Sequence, residues 1–266
     1  MKDVEQALFY TYCRDGIYHI QCSGLVPGPG HVYATLIVGK ERALLIDNGY
    51  GDDKLAEYVG ELTEVSVIAM VSHAHPDHMG GYAQFEDLWL HEKDLCQCRE
   101  VFPDAAFNQE KLTLNGTRLH FLKEGELDLG ERRVRIISTP GHTAGSVCVY
   151  DEKTRMMITG DTLSQRVFLF CAKPVIPFRI YKQSLLKLLD TDFQEFLAGH
   201  HPMPMPRSWT NKMIAMLESF SPEKGRTYER EELGNSLMLY TTGRGFGDPE
   251  YCGFCYNCQE LKELMA

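Results

Sequence analysis

Apolar residues fall in short runs along the first half of the chain. Ile17-Tyr18-His19-Ile20, Tyr33 to Val38 and Ala43 to Ile46 are rich in β-branched and aromatic residues and have strand length. Turn residues separate them, at Pro27-Gly28-Pro29-Gly30 and Gly39-Lys40-Glu41-Arg42. Asp47-Asn48-Gly49-Tyr50-Gly51 breaks the third run, and Leu55, Tyr58, Val59 and Leu62 then share one face at helical spacing. Val65 to Val71 reads as a buried strand. A helix is expected near Gly80, a short strand at Leu88-Trp89-Leu90, and a helix from Glu92. The second half continues the alternation. Arg118–Leu122, Val134–Ser138, Ser146–Tyr150, Met156–Thr159, Phe196–Ala198 and Leu237–Tyr240 read as strands, while Tyr181–Leu189 and Trp209–Phe220 read as helices. Sheet and helix alternating in both halves predict an α/β protein of two stacked sheets with helices outside.

Composition narrows this picture only slightly. A chain of 266 residues can bury a large core. A formal net charge of −10 repels phosphate backbones, so nucleic acid is not an expected partner. No apolar stretch approaches the roughly 20 residues that span a bilayer, which argues against a membrane partner. Met1 to Gln6 is polar and does not read as a signal peptide, so a cytoplasmic location is the default. The nine cysteines are an odd number and are expected as thiols.

Chemistry enters at His73-Ala74-His75-Pro76-Asp77-His78, directly after the strand at Val65–Val71. Imidazole nitrogen and carboxylate oxygen together suit zinc, iron or manganese. Alternate residues of extended chain point the same way, so His73 and His75 can grip one ion. Asp77 and His78 lie further on, where the chain can turn them toward a second. Three later strand ends also carry ligand-type residues after glycine: Gly141-His142-Thr143, Gly160-Asp161-Thr162 and Gly199-His200-His201.

This ordered set resembles the metallo-β-lactamase-fold hydrolases, from about Gly16 to His201, and Asp47-Asn48-Gly49 resembles their early Asp-x-Gly turn. The resemblance implies a four-layer αββα sandwich with the metal site at one edge between the sheets. It implies His73, His75 and His142 on a first ion and Asp77, His78 and His200 on a second, with Asp161 bridging. His201 is the alternative to His200. Two zinc ions are the expected cofactors, with iron or manganese as alternatives. The implied activity is hydrolysis by a metal-bridging hydroxide that Asp77 orients. A carboxylate rather than a cysteine at Asp161 resembles the glyoxalase II side of the family, and points to a small ester, thioester or lactone. An iron-bound redox or oxygen-handling protein on the same ligands, or a phosphodiesterase, is the alternative.

Substrate contacts are expected from the segment Leu163–Ile180, which mixes Phe168, Leu169, Phe170 and Phe178 with Arg166, Lys173 and Arg179. Aromatic walls with a few cations suit a small acyl group or organic acid. Phe178 and Arg179 are the named candidates, with His31 from the first sheet; core packing is the alternative reading. Residues 1–240 are expected as the hydrolase domain and 241–266 as a cysteine-containing extension. There, Cys252, Cys255 and Cys258 recur every third residue, a spacing that could hold a metal or line a helix face.

Overall fold

The computed structural model describes residues 8–22, 31–169, 173–228, 236–245, 248 and 250–266. The turn Pro27–Gly30, Phe170 and the N-terminal Met1–Gln6 lie outside them. The first sheet has nine strands: β1 (Phe9–Arg14), β2 (Ile17–Cys22), β3 (Val32–Val38), β4 (Arg42–Ile46), β5 (Ser66–Met70), β6 (Asp87–Leu90), then β9 (Thr117–Phe121), β8 (Thr113–Leu114) and β7 (Phe107–Asn108). The second has six, in the order β10 (Gly125–Asp128), β11 (Arg133–Ser138), β12 (Val147–Asp151), β13 (Met156–Gly160), β15 (Glu195–Ala198) and β16 (Met205–Pro206).

Period-two burial in the strands builds the layers. Ile37, Leu44, Ile46 and Met70 of the first sheet meet Val134, Ile136, Val149, Ile158 and Leu197 of the second in one core between the sheets. Their chain neighbours point the other way. Leu36, Ala43 and Leu45 pack outward on Leu55 and Val59 of α1 (Leu55–Leu62). Cys148, Tyr150, Met157 and Phe196 pack outward on α4 (Phe178–Leu189) and α5 (Ser208–Glu218). The result is the αββα sandwich.

A third sheet was not legible in the sequence. It runs β14 (Arg166–Phe168), β19 (Cys252–Asn257), β18 (Leu237–Thr242), β17 (Arg226–Thr227). Cys252, Phe254 and Tyr256 of β19 enter the same core as Phe178 and Met213 of α4 and α5. Cys252 and Cys255 therefore sit on a strand and Cys258 opens the 3-10 turn after it, so the three do not line one helix face. Cys252 and Cys255 leave β19 on opposite sides, both buried, while Cys258 is exposed, so the three do not converge on an ion. The helix expected near Gly80 is a short α2 (Pro76–Met79) continued by a 3-10 turn, Gly80–Gln84. The remaining helices are α3 (Leu95–Val101) and α6 (Leu261–Met265). Among the described residues, no helix is long and apolar enough to cross a membrane.

Strand direction fixes where chemistry can sit. β4 and β5 are parallel, and so are β13 and β15. β11 runs the same way as β13, since each is antiparallel to β12. The loops after β4, β5, β11, β13 and β15 thus gather at one edge, outside the carboxyl ends of the strands.

Candidate metal centre

These loops bring seven side chains together, in two groups of three joined by a third that His73, His78 and Asp161 make. The first is His73, His75 and His142, all buried. His73 Nε2 lies 3.0 Å from His75 Nδ1 and 3.1 Å from His142 Nε2, and His75 Nδ1 is 2.9 Å from His142 Nε2. The second contains Asp77, His78 and His200. His200 Nε2 is 3.2 Å from Asp77 Oδ2 and 3.3 Å from His78 Nε2. Asp161 stands between the groups: its carboxylate is 3.7 Å from His142 Nε2, 3.5 Å from His78 Nε2 and 3.4 Å from His200 Nε2. His201 is not in either group; its Nδ1 is 2.7 Å from its neighbour's Met203 carbonyl.

The local sequence explains the division. His75 is extended and caps α2, with Pro76 at the first helical position, where the missing N–H costs nothing. The single turn of helix then carries Asp77 and His78 away from the His73–His75 direction. Gly199 lets the last loop come close: a Cβ there would lie 2.6 Å from His78 Cε1 and 2.7 Å from Asp161 Oδ1.

Outer hydrogen bonds decide which nitrogens face inward. Ser72 Oγ donates to Asp47 Oδ2 at 2.9 Å, so its oxygen accepts from His73 Nδ1 at 3.0 Å. His142 Nδ1 donates to the Phe168 carbonyl, His78 Nδ1 to Asp47 Oδ2, and His200 Nδ1 to the His31 carbonyl. With their outer nitrogens used as donors, His73 and His142 turn Nε2 lone pairs toward each other and toward His75 Nδ1. Lone pairs about 3 Å apart repel unless a proton or cation lies among them. A tetrahedral ion with nitrogen ligands at ~2.0–2.1 Å separates them by roughly 3.3 Å, so the first group fits such an ion. Asp47 holds this arrangement in a left-handed backbone conformation, φ +66°, which a non-glycine residue adopts rarely.

The groups differ in charge. Burial, with His78, His142 and His75 close by, holds His73 well below the usual imidazole range, and burial lowers His142 to about 4. Burial also opposes charge on His78 and His200, yet the carboxylates outweigh it. Asp77, Asp47 and Asp161 raise His78 to about 9, and Asp161 and Asp77 raise His200. Burial likewise opposes the charged carboxylates, and imidazoles overcome it: His78 and His200 hold Asp77 low, and the same pair holds Asp161 low. One group is made of imidazoles alone; the other is a mixed network of imidazoles and carboxylates.

Two expected substrate contacts are not brought to this edge. Phe178 packs edge-on against Phe220 and Phe254 in the core, and Arg179 donates to the Ala266 carbonyl at 2.9 Å. The His31 carbonyl, rather than its imidazole, reaches the centre, at 3.1 Å from His200 Nδ1. Sequence reasoning missed Asp94. It is buried, accepts from Ala74 N–H at 3.0 Å and Thr143 Oγ1 at 2.8 Å through Oδ2, and from Gly145 N–H at 2.7 Å through Oδ1.

Comparison with known proteins bears on the family and the fold. A family profile described as the metallo-beta-lactamase superfamily matches residues 27–200. A probable metallo-hydrolase of Bacillus subtilis is 27% identical over 150 residues, covering 52% of this chain and 69% of that one. An acyl-coenzyme A thioesterase of Gallus gallus is 26% identical over 198 residues, 63% of this chain and 72% of its own. A metallo-beta-lactamase structure from Pontibacter korlensis superposes with a TM-score of 0.63 over 80% of this chain and 100% of that one, at 16% identity, a likeness of fold.

Proposed function

This chain belongs to the metallo-beta-lactamase superfamily of metal-dependent hydrolases, and on that premise we propose a two-ion centre that cleaves a small thioester, or a related ester or lactone. His73, His75 and His142 hold one ion, Asp77, His78 and His200 the other, and Asp161 serves both. The observation that carries this reading is the convergence of ligand atoms in two adjoining groups with one carboxylate between them. Bound zinc would supply Lewis acidity and would lower the pKa of a bound water to about 7.

The protein's own residues do the rest. The trio of histidines is buried, whereas the Asp77, Asp161 and His200 side chains keep 20%, 13% and 27% exposure. Substrate therefore approaches from the side of the mixed network. Asp77, beside His200 and open to that side, is placed to orient a water molecule and accept its proton. A thioester is favoured because the Gallus gallus thioesterase matches over nearly two thirds of this chain, and because a carboxylate stands at position 161.

Turnover of acyl-thioester, lactone, aryl ester and phosphodiester substrates tests the reading, with zinc counted per chain. Thioesters should be cleaved fastest, and His75→Ala and Asp161→Ala should each lose at least about 100-fold in rate together with bound zinc. Faster cleavage of a phosphodiester than of any acyl substrate would overturn the substrate assignment. Strong visible absorption of the purified protein would replace zinc with iron.

A further inference from the structure

The loop carrying His200 is held residue by residue by the first sheet. Tyr33 N–H donates to the Gly199 carbonyl at 2.9 Å, and His200 Nδ1 to the His31 carbonyl at 3.1 Å. His19 Nε2 lies 3.0 Å from the His201 carbonyl, and Thr11 Oγ1 donates to the Pro202 carbonyl at 2.7 Å. Four consecutive residues of the loop are tied to β1, β2 and the start of β3.

His19 stands apart in this set because it is an ionisable side chain 1% exposed. Its partners fix its hydrogens. A carbonyl only accepts, so Nε2 carries the hydrogen; Nδ1 then accepts from the Thr35 hydroxyl at 2.9 Å. The Tyr33 ring stacks on the imidazole, centroids 4.7 Å apart and planes 14° apart, and limits its rotation. An aliphatic side chain of similar volume would fill this space without desolvating polar atoms. What the imidazole adds is one oriented donor aimed at the backbone next to His200. The neighbouring side chain, His201, turns away from the centre, so the backbone is the link between His19 and the ligand.

We propose that His19 is a positioning residue for the second ion: by fixing the His201 carbonyl it sets the approach of His200 Nε2 to Asp77, His78 and Asp161. The inference rests on the two-ion reading above. It gives β2 a part in selecting how tightly one ion of the pair is held.

Zinc titration against a chromophoric chelator, on wild type, His19→Leu and His19→Gln, tests it. Glutamine can place an amide N–H near the position of Nε2; leucine cannot. Wild type should bind two zinc ions. His19→Leu should keep one at wild-type affinity and weaken the other about 10–100-fold, the range seen when outer hydrogen bonds to ligands are lost. His19→Gln should recover most of that loss, and the pattern should not follow the melting temperature of the metal-free proteins. Should His19→Leu fail to fold, His19→Phe, which keeps a ring against Tyr33 but has no donor for the His201 carbonyl, should show the same selective weakening. Two zinc ions in wild type with unchanged affinities in these variants would overturn the inference alone. Equal weakening of both ions, with glutamine no better than leucine, would overturn it as well. A single zinc in wild type would overturn the two-ion reading and this inference with it.

Discussion

Asp94 joins the two loops that supply the histidine trio. Its carboxylate gathers the Ala74 amide from one loop and the Thr143 hydroxyl and Gly145 amide from the other. Burial pushes its carboxyl up, and the three donors hold it down only partly. Asp94→Ala would leave the buried Ala74 and Gly145 amides without their acceptor, each worth about 1–3 kcal/mol, while the Thr143 hydroxyl keeps Ser146 Oγ at 2.8 Å. Urea unfolding should show a loss of roughly 3 kcal/mol or more, and zinc should be held less tightly by the trio. Gly199→Ala should act differently: the added Cβ collides with His78 and Asp161, so a zinc count near one per chain is expected where wild type gives two. At this scale the sequence marked the candidate ligands that the fold brings together and not their supports. His73 to His78 crowd into six positions, and glycine precedes each later ligand. Asp94 is a lone aspartate 20 residues from Ala74, marked by no local spacing, and only the fold brings them together.

At the scale of elements, a buried ion pair joins the sheets. Arg132 binds Asp151 through two bonds of 2.9 and 2.8 Å, and its third nitrogen donates to the carbonyls of Asp15 at 2.7 Å and Val38 at 2.8 Å. The guanidinium thus ties the β1–β2 turn and the end of β3 to β12. Asp151→Ala strands a buried positive charge, for which a loss of about 3–5 kcal/mol is expected in chemical denaturation. Regular elements were readable where one face is apolar, as in β3, β4 and α1. β19 was not, because Cys252 through Tyr256 are buried on both faces and show no alternation. Its cysteine spacing drew attention to metal instead. β1 was missed for the opposite reason: this edge strand is largely exposed and its apolar residues mark no core.

For the molecule as a whole, the two sheets share the centre. Asp47, His73, His75, Asp77 and His78 follow strands of the first sheet, and His142, Asp161 and His200 follow strands of the second. The layered fold was legible in the alternation of strand and helix runs. The third sheet was not, since it pairs Arg166–Phe168 with residues more than eighty positions later. Global stability should carry the signature of His19. Burial lowers it to about 4 in the fold, against an unfolded value near 6.5. Between those values the unfolded chain binds the extra proton, so stability is fully present above pH ~6.5 and falls as pH drops toward 4. The loss attributable to this group is on the order of 3 kcal/mol. His19→Gln should flatten that part of the stability–pH curve, measured on metal-free protein to separate it from zinc release.

The parallel pairing of β14 with β19 has a consequence for how the protein comes into being. All seven ligands have been synthesised once the ribosome has passed His200. Yet the carbonyl that orients His142 belongs to Phe168, in a strand whose hydrogen-bonded neighbour, among the described residues, is Cys252–Asn257. A nascent chain therefore owns a complete set of ligands some fifty residues before it owns the backing for one of them. On the two-ion reading, metal capture by the histidine trio is therefore expected late in biosynthesis, timed by the arrival of the last strand and not of the last ligand.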